Sequence, residues 1–445
     1  MIKLIKTYPK EKLMKFSKKI VSVLLALSLV FSLAIPAFAA EDNAQLTWSD
    51  LTQQDYPFVF VHGMGGWGAY ETAAPMPYWG GMNFEGLKMS FGDTNIVDIL
   101  NENGLEVYEA SVGPFSSAWD RACELYAQLT GTVVDYGEAH SRAHNHDRYG
   151  YSYEGNALMG ENWDLTTPIN IMGHSFGGPT VRLFASLMYY GDSEEVAATG
   201  EDTSPLFTGG HDVIHSCTTF SSPNDGTPIA DFLVGLKLIA LISFFGNVLG
   251  VLFGDEMSMW HLRFGHFGLT AKQDEERAQF SLANIVNFYN ADDNCGYDMT
   301  IDGAKKLNEK IKLVPTTYYY SYTAIATEEN LVGMQKLNTP SIFSFACLVL
   351  SASEGKTIDG VEMTKEWAMS DGIVPYASAK CPMKDIDTAR SYSEAVENGE
   401  EIEPGRWYMM DPLMDFQHAS YMGTVGWPTS VEDFYVSYIN TVNAR

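Results

Sequence analysis

The chain has 445 residues, 46% of them apolar and 19% charged, with a formal charge of −28 at neutral pH. That length supports one large core, and so acidic a surface argues against nucleic acid or anionic headgroups as partners. Five cysteines (Cys123, Cys217, Cys295, Cys347 and Cys381) include no Cys-x-x-Cys pair, and an odd number cannot pair fully within one chain, so disulfides do not organise the fold.

Residues 1–39 read as a secretory signal peptide. Seven lysines precede Ile20, a mostly apolar run covers residues 20–33, and Ala37-Phe38-Ala39 fits the Ala-x-Ala cleavage pattern. Cleavage there starts the mature chain at Ala40 and implies an extracellular protein. Removing the leader's seven lysines and single glutamate leaves a charge of −34 on residues 40–445, which read as one domain with insertions.

The first element of that domain is Phe58-Val59-Phe60-Val61, an unbroken apolar run expected of a parallel strand covered on both faces. A glycine-rich turn follows, Val61-His62-Gly63-Met64-Gly65-Gly66-Trp67-Gly68. Residues 96–100 read as a helix closed by Gly104, and residues 105–110 as a second strand. Next comes a polar cluster: Asp120 in Ser117-Ala118-Trp119-Asp120-Arg121, then His140, His144 and His146. Imidazoles and a carboxylate in this range suit a tetrahedral zinc site, and a solvated polar loop accounts for them equally well.

Residues 169–172 form another apolar strand pattern, which runs into Gly173-His174-Ser175-Phe176-Gly177. A helical stripe of Val181, Phe184 and Met188 follows and stops at Gly191. Strand, sharp turn and helix with Gly-x-Ser-x-Gly at the turn describe a nucleophile elbow, which marks Ser175 as the nucleophile. Further strands are expected over residues 213–220 and 316–324. With helices between them, the strands predict an α/β doubly wound fold with a mostly parallel central sheet.

Asp231 and Lys237 are the only charges in residues 229–253, and the uncharged stretch 238–253 is too short to span a bilayer. Ser175 precedes this stretch and the other expected catalytic residues follow it, so a spanning helix would separate them across a membrane. An apolar lid over roughly residues 227–275 avoids that conflict.

A serine needs a base, and the base needs an acid to orient it. On this fold the chain order is serine, acid, histidine. Past the start of the lid lie His261, His266 and His418, and only His418 is late enough to follow a late acid. Asp371, at a turn before an apolar run, is the best acid; Asp225 in Pro223-Asn224-Asp225-Gly226 is its rival, or a turn initiator. The oxyanion donors are expected from the amides of Met64 and Phe176. His62, which precedes the serine, is expected to brace its loop.

These residues resemble those of a known family. Blocks spread over most of the mature chain, among them residues 60–68, Tyr78-Trp79-Gly80-Gly81, 116–129, 134–150, 173–178, 218–227, 298–308 and 371–374, are similar to those of secreted lipases from thermophilic Bacillus-type and staphylococcal bacteria and of related clostridial-type esterases. The resemblance implies an α/β-hydrolase fold with a zinc-binding insertion (about residues 115–165) and the triad Ser175, Asp371 and His418. It also implies a structural zinc bound by Asp120, His140 and His146, with His144 a bystander. The position matching the family's fourth ligand is Gly265 here, so His266 or a nearby carboxylate is the expected substitute. Ser420 and Val425 stand where the family carries acidic residues, so no calcium is expected there. The reading is a secreted serine carboxylic-ester hydrolase, triacylglycerol lipase-like, acting on lipid or other hydrophobic esters. A short-chain esterase or polyester hydrolase of the same fold is the alternative; a non-catalytic binding protein and a serine peptidase are remoter ones.

Overall fold

The computed structural model describes residues 46–66, 68, 78–79, 82–84, 89–91, 95–160, 163, 165–235, 263, 265–267, 291–339, 341, 343–423 and 431–445. The expected signal peptide and most of the expected lid lie outside them. The described elements all fall within one unit, Ala37–Arg445.

Phe58–Val61 (β1) is buried along its whole length, and its side chains divide by parity: Val59 and Val61 enter one core, Phe58 and Phe60 another. That period-two split is what a strand covered on both faces requires. Ile96–Glu102 (α1), capped by Asn95, leads to Val107–Ala110 (β2), which pairs parallel with β1. Ala118–Thr130 (α2) follows, capped by Ser117 and closed by Gly131 in a left-handed conformation, and then Glu138–His144 (α3). Ile169–His174 (β3) pairs with the other edge of β1 and runs into Gly177–Tyr190 (α4). Ile214–Phe220 (β4), Pro228–Gly235 (α5) and Tyr318–Tyr322 (β5) come next, then Ser344–Ser353 (α6), Arg390–Ser391 (β6), Trp407–Met409 (β7) and Val431–Asn443 (α7).

The seven strands form one sheet in the order β6-β7-β5-β4-β3-β1-β2, parallel at every junction, in agreement with the expected doubly wound fold. Helices α2 and α4 cover the Val59 face through Ala118, Leu125, Val181 and Phe184. The other face is closed largely by aromatics, Phe434, Tyr435 and Tyr438 of α7 against Phe58, Phe60 and Phe220. All five cysteines are buried free thiols. No helix among the described residues is long and apolar enough to cross a membrane.

Most expected elements appear with ends shifted by a residue or two. The larger difference lies after β5, where a single strand over residues 316–324 was expected. The main-sheet strand stops at Tyr322, and Ala324–Ile325 instead pairs in parallel with Leu413–Met414. The Leu413 amide donates to the Thr323 carbonyl (2.9 Å), the Asp415 amide to Ile325 (2.8 Å) and the Ala326 amide to Ser370 (2.9 Å). This small ribbon therefore anchors both the Asp371 and the His418 loops beside the carboxyl ends of the main strands, the usual place for a site on such a sheet.

Candidate functional site

Ser175 lies between the last residue of β3 and the start of α4 with φ at +56°, in the left-handed region. A non-glycine residue held there stores roughly 1–2 kcal/mol of backbone strain. The turn is tied to the sheet by the Ser175 amide, which donates to the Phe220 carbonyl at 2.9 Å. Its tightness depends on Gly177, where a methyl group would collide with the Val61 carbonyl. The sequence pattern thus produces a sharp, strained strand-to-helix turn with the serine at its apex.

Asp371 and His418 meet directly. The His418 Nδ1–H donates to Asp371 Oδ2 at 2.7 Å, and the His418 amide donates to the Asp371 carbonyl at 3.0 Å. The other carboxylate oxygen accepts the amides of Ile373 (3.0 Å) and Val374 (2.9 Å), so the acid cannot swing away. The His418 ring lies 4.6 Å from that of His174, the residue before the serine, and 6.3 Å edge-on from Phe343. His174 is fully buried with its Nδ1 2.7 Å from Tyr78 Oη. Burial, reinforced by His418, drives the His174 pKa well below the usual histidine value and keeps it uncharged beside its neighbour.

Asp225, the rival acid, is occupied elsewhere. Its carboxylate accepts from Asn308 Nδ2 (3.0 Å) and the Met383 amide (2.8 Å), and burial pushes its pKa up to about 7. It pins two loops together.

The turn after β1 packs against the serine, since a methyl group at Gly63 would come within 2.6 Å of Ser175 Cβ. The Gly65 amide donates to the Pro114 carbonyl at 2.8 Å, and Met64, 36% exposed, sits at the mouth of the turn. His62 braces this loop as expected: its Nδ1–H donates to the Gly63 carbonyl (2.8 Å) and its Nε2 accepts the Val112 amide (3.1 Å). Burial drives its pKa far down, so it stays neutral.

A second cluster is built from a different set of residues. Asp120 in the first turn of α2, His140 in α3, His146 just beyond it and Asp293 bring four ligand atoms within 4.8 Å of one another. His140 Nε2 is 3.2 Å from Asp120 Oδ1 and 3.3 Å from Asp293 Oδ2, and His146 Nε2 is 3.2 Å from Asp293 Oδ2. A tetrahedral zinc with bonds of about 2.0–2.1 Å has ligand–ligand edges of about 3.3 Å. The same four atoms are buried and lack a hydrogen-bond partner among the described residues, which a shared cation would remedy. The His146 Nδ1–H donates to the Asp147 carbonyl (2.8 Å), leaving its Nε2 lone pair free for a metal. The residues fit a metal ion.

His266 is not among the four residues whose ligand atoms converge. His266 does lie beside the cluster, but its Nε2 faces Asp120 Oδ2, the oxygen turned away from the other ligands, at 3.0 Å. Asp293, absent from the sequence reading, completes the set. Its only sequence signal was the pair Asp292-Asp293 ahead of the block beginning at Asp298, with no spacing that linked it to the histidines. His144 stays outside the convergent set, its ring 4.5 Å from that of His140.

Comparison with known proteins finds similar sequences and structures. The family model described as "Lipase-like, C-terminal domain" matches residues 54–440. The chain is 32% identical over 395 residues to a lipase of Staphylococcus epidermidis, covering 86% of this chain and 53% of that protein. It is 31% identical over 374 residues to lipase 2 of Staphylococcus aureus, covering 83% and 50%. It therefore spans about half the length of the curated relatives it matches. Among solved structures it resembles EstA from Clostridium botulinum (TM-score 0.73, 29% identity, 95% of this chain and 98% of that one). Staphylococcus hyicus lipase follows with a TM-score of 0.71 and 27% identity over 91% of this chain and 98% of that one.

Proposed function

The chain belongs to the lipase-like, C-terminal domain family, and on that premise we propose that it is a secreted serine carboxylic-ester hydrolase acting through an acyl-enzyme. Ser175 Oγ attacks the ester carbonyl carbon while its proton passes to His418 Nε2, the nitrogen left free when Nδ1 is committed to Asp371. The negative charge on the carbonyl oxygen is held by the Met64 and Phe176 amides. His418 then returns the proton to the departing alcohol oxygen. A water, deprotonated by His418, attacks the acyl carbon and releases the acid with Ser175 regenerated.

The observation that carries this reading is the chain of contacts from Asp371 through His418 to His174, the neighbour of a serine on a left-handed turn. A hydrophobic ester suits the surroundings, because Phe343 lies edge-on to His418, Met64 stands partly exposed on the turn after β1, and Phe232, Phe345 and Leu348 are exposed on α5 and α6. Asp120, His140, His146 and Asp293 would hold a zinc ion, which with four protein ligands serves as a structural cross-link.

The test is hydrolysis of p-nitrophenyl esters of graded chain length by the wild type and Ser175→Ala. Loss of at least about 10³-fold in kcat in the variant is expected. Wild-type turnover in Ser175→Ala would overturn the reading. A preference for long acyl chains marks a lipase, whereas a sharp optimum at acetyl or butyryl marks the short-chain alternative.

A further inference from the structure

The two proposed oxyanion donors come from different parts of the chain, Met64 after β1 and Phe176 ahead of α4. Their mutual placement must hold to within tenths of an ångström to stabilise one oxygen, so something has to join the two segments. One buried side chain that touches both segments is Arg121 of α2. Its Nη2 donates to the His62 carbonyl, one peptide before the Gly63–Met64 unit, and its Nη1 donates to the Gly113 carbonyl at 3.0 Å. Pro114, next in the chain, accepts the Gly65 amide at 2.8 Å, so the same loop holds the far side of the turn. The Arg121 Nε–H donates to Thr180 Oγ1 at 2.9 Å, and that hydroxyl donates to the Phe176 carbonyl at 3.1 Å. The guanidinium carbon also lies 5.2 Å from the centre of the Phe176 ring. The loop itself is fixed from behind by Glu124, whose Oε2 accepts the Gly113 amide at 2.5 Å.

We infer that Arg121 is a positioning residue for the oxyanion hole, its guanidinium fork setting the Met64 turn against the Phe176 helix start. A lysine cannot do this, because one ammonium lacks the planar spread to reach three acceptors lying in different directions. The inference rests on the acyl-enzyme reading above.

The experiment compares wild type, Arg121→Lys and Arg121→Met in two measurements. One is kcat and KM on a p-nitrophenyl ester; the other is the rate at which an alkyl p-nitrophenyl phosphonate, whose phosphoryl oxygen must enter the oxyanion hole, labels the serine. The expected result is a fall in kcat and labelling rate of about 10- to 100-fold in both variants, with KM changed less than about threefold. Thr180→Val, which removes the link to Phe176, provides the same reading if the Arg121 variants do not fold. It should slow both rates, and Thr180→Ser, which keeps the hydroxyl, should restore them. Folded variants of either residue that label and turn over at wild-type rates, differing only in melting temperature, would reduce Arg121 to a packing role and overturn the inference. Wild-type enzyme that the phosphonate does not label overturns the acyl-enzyme reading itself, and the inference with it.

Discussion

Asp371 holds His418 twice, through the carboxylate to Nδ1 at 2.7 Å and through its own carbonyl to the His418 amide at 3.0 Å. The backbone bond fixes where the histidine sits, and the carboxylate fixes which nitrogen carries the proton. Asp371→Asn separates the two effects. Its amide oxygen can still accept from Ile373 and Val374, but the NH₂ then faces Nδ1 and forces the proton onto Nε2, where no base remains. The expected outcome is a fall in kcat of about 10³- to 10⁴-fold with an almost unchanged fold, read from ester kinetics and circular dichroism. A loss smaller than about tenfold would mean that another group orients His418.

Asp225→Asn should behave in the opposite manner, leaving chemistry intact and altering stability. Burial raises the folded pKa of Asp225 to about 7, above its unfolded value. The folded state therefore binds the extra proton, and the protein loses the corresponding stability as pH rises from near 4 to near 7. Asparagine does not titrate, so the stability difference between variant and wild type should move towards the variant across that window. Urea unfolding at pH 4, 5.5 and 7.5 measures it, and a pH-independent difference would show that Asp225 ionises normally.

The elements that were legible in the sequence are those with a local backbone signature. The sharp turn at Ser175 was readable from flanking glycines between a strand and a helix, and the pairing of Asp371 with His418 from the expected chain order. Phe58–Val61 was readable because a strand buried on both faces must be apolar throughout. Arg390–Ser391 and Trp407–Met409 were not, since two or three residues carry no period. Asp293 was missed for a different reason. It reaches the histidines only because the chain returns to α2 after a long excursion, and the Asp298 carboxylate accepts the Ala118 amide at 2.7 Å to dock that segment. His266 stood next to the aligned position, but the short turn Gly265–Phe267 directs its Nε2 to the other oxygen of Asp120.

Asp293→Ala should therefore abolish metal binding, whereas His266→Ala should only weaken it, by about 10- to 100-fold, as expected for a group that orients a ligand from outside. Metal content by mass spectrometry after dialysis decides this without reference to activity. Removing the metal from wild type leaves two carboxylates and two imidazoles buried without a common partner, so chelation should lower Tm by at least about 5 °C. Metal retained by Asp293→Ala and lost from His266→Ala would reverse the assignment.

The left-handed turn at Ser175 offers a test in which stability and activity move in opposite directions. Serine there has φ at +56°, a conformation that glycine adopts without a Cβ penalty and alanine does not. Both Ser175→Gly and Ser175→Ala remove the hydroxyl, so both should be inactive. They differ in strain and in the freedom of the unfolded chain: relief of about 1–2 kcal/mol of strain outweighs about 0.4–1 kcal/mol of extra unfolded-state entropy, so the glycine variant should be the more stable by up to about 1 kcal/mol. The difference should appear in the midpoint of urea unfolding with an unchanged slope, because the surface exposed on unfolding is the same. If alanine proves more stable than glycine by about 0.4–1 kcal/mol, the entropy of the unfolded chain alone accounts for the difference and the elbow stores no strain.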